Sequence, residues 1–190
     1  MSALATALRL LEGFNSRLLA LGRHVAWVLV ALMVATILLQ VFMRYVVGSA
    51  LPWPEEVARA FMIWMMALVA GSGYRWGAFV SIDLVGERLP RALGRALQLV
   101  LLALALVLLV QLFVLALEFF ERGFRTRAAS FKLSRAWIYL AMPVCFGTMI
   151  LVNVELLLRA VGRTFGNPAD FPTPPNPLVV EDEIAVKPAE

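Results

Sequence analysis

Hydrophobic positions along this chain gather into four long runs from which charge is absent: Val25 to Met43, Ala60 to Tyr74, Leu97 to Leu117 and Ala136 to Val154. At about 1.5 Å per residue, three of them cross a hydrocarbon core of about 30 Å, and the second does so once its first turn and a snorkelling Arg75 are included. The pattern predicts an all-α membrane protein with four transmembrane helices, over about residues 25–43, 56–75, 97–118 and 136–158. Ahead of the first run, Leu4, Leu8, Leu11, Leu18 and Leu21 recur at helical spacing while Arg9, Glu12, Ser16 and Arg23 take other faces. This predicts an amphipathic N-terminal helix over residues 1–23, lying in the membrane interface. A plain extension of the first span competes with that reading, with Gly13 and Gly22 as possible breaks.

The connections are short and polar. Gly48, Ser49, Pro52 and Pro54 mark a turn after Arg44. Between the second and third runs, Phe79, Ile82, Val85 and Leu89 recur among Asp83, Glu87, Arg88 and Arg91, as in a short helix lying on the surface. Residues 24–163 thus form one membrane domain. From about residue 164 onward, six prolines with Asp170, Glu181, Asp182 and Glu183 predict a disordered, Pro-rich acidic tail. A signal-peptide reading of residues 1–50 fails, because the apolar part is too long and Arg44 and Tyr45 form an interface flank behind it.

Composition agrees with the pattern: 62% of the 190 residues are hydrophobic and 16% charged, with a mean hydropathy of +0.84, too apolar for a domain whose surface must meet water. The net charge of +4 sits mostly at the flanks of the runs and implies contact with anionic lipid, with no nucleic-acid partner. Basic residues divide almost evenly between the two sets of flanks. Both termini are expected on the cytoplasmic side, with the five basic residues at 122, 125, 127, 132 and 135 running against the rule.

Catalysis or cofactor binding would need residues that are scarce here. His24 is the only histidine, so a bis-histidine haem within one chain is excluded. Cys145 is the only cysteine, which removes thiol–disulfide exchange between paired cysteines. No nucleophile elbow, zinc motif or phosphate loop occurs, so no enzyme activity and no cofactor are expected. Two carboxylates near span ends, Glu118 and Glu155, are candidates for ion movement, but both are expected to reach headgroups or water. In the second run, Ala67, Gly71 and Gly73 thin one side, suited to contact with protein, either a partner or the rest of the same four-helix unit.

The stretch "SALPWPEEVARAFMIW", Ser49 to Trp64, concentrates charge at the mouth of the second run. Pro52 and Pro54 suit a helix start that lacks donors. Glu55 and Glu56 face the positive end of the helix dipole, Arg59 follows at pairing distance, and Trp53 suits the interface belt. Left over is the number of charges, since Arg44, Glu55, Glu56 and Arg59 crowd one membrane face.

At these residues the sequence resembles the small membrane subunit (DctQ-like) of tripartite ATP-independent periplasmic (TRAP) transporters. "RYVVGSALPWPEEVAR" resembles the family signature across the first connection, "YRWGAFVSIDLVGERLP" a family stretch containing an aspartate, here Asp83, and "SFKLSRAWIYLAMPVCFGTMIL" the last span. The family often carries a histidine before that aspartate, where this chain has Phe79. The resemblance implies a static scaffold in the bacterial inner membrane. Its partners would be a large elevator-type membrane subunit on a separate chain, which holds the sodium and substrate sites, and a periplasmic binding protein that delivers an organic acid. The residues it assigns to the partner interface or to local structure are Arg44, Tyr45, Trp53, Glu55, Glu56, Arg59 and Asp83, with no substrate residue on this chain. Two other readings remain: an autonomous small exporter working as a homo-oligomer, and a respiratory-complex membrane anchor.

Overall fold

A computed structural model describes residues 2–49, 51–77, 91–125 and 135–165. It contains α1 (Ser2–Tyr45), α2 (Pro54–Arg75), α3 (Arg91–Gly123), the short α4 (Ala136–Tyr139) and α5 (Ala141–Phe165). Among the described residues four helices are long and apolar enough to span a membrane, the last formed by α4 and α5 together. The predicted surface helix before residue 91, Asp83 within it, and the tail beyond residue 165 lie outside the described residues.

Helix boundaries follow the local chemistry. Pro54 opens α2, where a missing backbone donor is free of cost, and Glu55 and Glu56 occupy its first turn. Gly48, with φ of 71°, sits in the turn after α1, a conformation that residues with a Cβ avoid. The last span is interrupted at Leu140. Pro143 explains the break: it cannot donate to the carbonyl of Tyr139, and its ring crowds that carbonyl.

The helices stand in a row, α1 against α2, α2 against α5 and α5 against α3, with a lesser contact of α1 on α5. Packing follows a 3.5-residue repeat. On α1 the buried or half-buried positions include Leu8, Glu12, Asn15, Leu19, Gly22, Ala26, Leu29, Met33, Thr36, Gln40 and Met43, in steps of four and three that suit a shallow left-handed crossing. On α3 they run Leu102, Leu106, Leu109, Phe113, Ala116, Phe120 and Gly123. Close approach is possible because small residues sit at the crossings. A Cβ on Gly22 would lie 3.0 Å from the Leu68 carbonyl oxygen, and one on Gly123 would lie 2.7 Å from the Ala136 Cα.

Two expectations change here. The helix α1 is continuous through residue 23, running 44 residues or about 66 Å. The leucine stripe is used only in part: Leu8 is buried and Leu11 and Leu18 half-buried, whereas Leu21 is exposed. Glu12 and Asn15 share the packed face with them because their partners, described below, stand on α2 and α5. The small side of α2 is used within the unit, with Ala67 and Gly71 buried and Gly71 against Leu19 of α1 and Thr148 of α5.

Candidate functional site

Charge gathers at both ends of the row, in two different states. At the end bearing the α1–α2 connection, most of the residues singled out from the sequence are exposed. Arg59 donates from Nη2 to Oε1 of Glu55 at 2.9 Å, one helical turn apart, and both side chains are about two-thirds exposed. The Arg44 guanidinium lies 6.0 Å from the ring centre of Tyr45, itself 78% exposed. Trp53 stands at the start of α2, and Glu56 is half-buried one turn before Ala60. The indole N–H of Trp64 donates to the carbonyl of Trp137 at 3.1 Å, tying α2 to α4. Below this rim, Met62, Met66, Met142, Cys145 and Phe146 help line an apolar groove of about 310 Å³ between α2 and α5.

At the opposite end a polar cluster is buried. Glu155 of α5 has no exposed surface and Arg159 only 2%. Oε1 of Glu155 accepts from Nη2 of Arg75 at 2.8 Å and from Nη2 of Arg159 at 2.9 Å, while Oε2 accepts from the Asn15 amide at 2.8 Å. Glu12 closes the arrangement, 2.8 Å from Arg159 and 3.9 Å from Arg75. The result is a ring of alternating charge, Glu12, Arg159, Glu155, Arg75, drawn from α1, α2 and α5. Ser16 accepts from Arg75 at 3.0 Å and donates to the Glu12 carbonyl at 2.6 Å. Beside the ring, Asn153 donates to the Tyr74 hydroxyl, and Arg23 donates to Ser72 and stacks over Trp76.

Glu155 therefore does not reach headgroups or water. The sequence signal for this was spacing: Glu155 and Arg159 are one turn apart on α5, and Asn15 and Glu12 share a seam, but nothing local says that the two helices meet. Glu118, by contrast, is exposed and 3.7 Å from Arg122. Among the described residues, no three His, Cys, Asp or Glu side chains gather as a metal site requires.

Compared with known families, residues 33–163 match the model for the DctQ component of tripartite ATP-independent periplasmic transporters. The matched region takes in the C-terminal part of α1, all of α2 to α4 and nearly all of α5. No curated protein matches the chain.

Proposed function

The chain belongs to the DctQ component family of tripartite ATP-independent periplasmic transporters, is a multi-pass membrane protein, and on that premise we propose that it is the static small subunit of an importer. It anchors a large elevator-type subunit in the bacterial inner membrane, with both termini cytoplasmic. That large subunit takes up an organic acid with sodium after a periplasmic binding protein delivers it. The observation that carries this reading is the family match across all four spans.

Two features support a scaffold. The buried carboxylate that could have moved an ion, Glu155, is enclosed by Arg75, Arg159 and Asn15, and a charge held by fixed donors on three helices suits cohesion rather than transit. The rim at the α1–α2 connection carries Arg44, Tyr45, Trp53, Glu55, Glu56 and Arg59, to which we assign docking, with Asp83 of the next connection as a further contact.

Co-purification and uptake test the proposal together. A tagged chain should recover a large multispanning subunit, and deleting its gene should abolish sodium-dependent uptake of the acid. Recovery of no such subunit, with uptake intact after deletion, would overturn it. Proteoliposomes containing this chain alone should show no flux, whereas flux there would favour the autonomous exporter.

A further inference from the structure

We propose that the ring of Glu12, Arg159, Glu155 and Arg75 sets the axial register in which α1 and α2 dock on α5. Other contacts favour the same alignment, among them Gly22 against the Leu68 carbonyl, Arg23 on Ser72 and Asn153 on Tyr74, but the ring alone joins charges from all three helices in one buried set. Along the α1 seam, Leu19, Ala26, Leu29 and Met33 follow one another at heptad spacing, so a slide along the helix exchanges one apolar contact for another. In lipid, no hydrophobic exclusion selects between such alignments. The ring does select. Sliding α1 by one turn, about 5.4 Å, takes Glu12 from Arg159 and Asn15 from Glu155 and leaves buried guanidinium groups short of partners.

The charge count carries the same point. Glu155 and Arg159 on α5 are neutral together, adding Arg75 of α2 leaves one positive charge in excess, and adding Glu12 of α1 instead leaves one negative charge in excess. Neither α1 nor α2 can join α5 alone without leaving an excess charge, and balance returns only when both are docked, with Glu155 wholly buried and the Arg75 and Arg159 side chains 12% and 3% exposed. A buried polar group that fixes helix alignment is the best-attested use of such groups. Because α1 and α2 are each one uninterrupted helix of 44 and 22 residues, alignment fixed at this end also fixes where Arg44 and Glu55 stand at the other. The inference does not depend on the transport reading.

The test is a distance. In the full-length chain with Cys145→Ala, spin labels are placed at Leu10→Cys on α1 and Met142→Cys on α5, both on exposed positions and on opposite sides of the level at which Leu19 and Thr148 meet Gly71. In lipid nanodiscs the unaltered ring should give one narrow distance peak. An apolar ring (Glu12→Leu, Arg75→Met, Glu155→Leu, Arg159→Met) should keep the melting temperature but add a component displaced by about 5 Å, one helical turn. A single unshifted peak in that variant would overturn the proposal. Should the apolar ring fail to fold, the full exchange of signs (Glu12→Arg, Arg75→Glu, Glu155→Arg, Arg159→Glu), which keeps the alternation around the ring, decides: it should recover the native peak that Glu155→Arg or Arg159→Glu alone loses. An exchange no better than the singles counts against the register role.

Discussion

At the scale of single residues, Glu155 and Glu118 show how little the residue type decides. Both are glutamates near the end of an apolar run. Glu118 is exposed beside Arg122, where a pair in high dielectric contributes little. Glu155 has been taken out of water together with the charges that match it, so removing it leaves two guanidinium groups inside the protein. Glu155→Gln is expected to destabilise the chain by about 3 kcal/mol or more, and Glu118→Gln by less than about 1 kcal/mol. Thermal unfolding of the two variants in the same detergent measures the contrast. The loss should be non-additive with Arg159→Met, because the second change removes a charge that the first leaves unpaired.

At the scale of elements, helix contacts are governed by where a Cβ can fit. The end of α3 lies against the start of α4, and Gly123 meets the Ala136 backbone there. Backbone cannot yield as a flexible side chain can, so Gly123→Ala should cost about 1–3 kcal/mol through overpacking. Gly13 has nothing within 4 Å of the position its Cβ would take. Gly13→Ala should therefore stabilise α1 by about 0.5–1 kcal/mol through helix propensity alone. Melting curves of both variants should move in opposite directions. The continuity of α1 has the same origin. Its two interior glycines disfavour a helix only modestly, and at Gly22 that cost is offset by the close approach to α2 that the missing side chain permits.

At the scale of the whole molecule, one end of the row holds the closed ring of Glu12, Arg159, Glu155 and Arg75. The other carries the exposed pair of Glu55 and Arg59. For the open end the expectation is a defect in assembly: Glu56→Gln or Arg59→Ala should reduce recovery of the large subunit and the uptake rate. The ranking of competing substrates should stay the same, since no substrate site is placed on this chain. Competition assays on the variants would show a changed ranking if the rim took part in selection.

Four spans, the proline-opened start of α2 and the family resemblance were all legible in the sequence. Each depends on local composition or on a short motif, and transfer of a charge-free run into hydrocarbon is favourable whatever its neighbours are. The membership of the buried ring was not legible. Glu12, Arg75 and Glu155 are far apart in the chain, and each alone suits a membrane flank equally well. Only the tertiary structure decided that Leu21 faces outward while Glu12 and Asn15 take the seam, because that choice is made by partners on α2 and α5. Burial of a charge is a property of the set that neutralises it, and the set exists only once three helices have met.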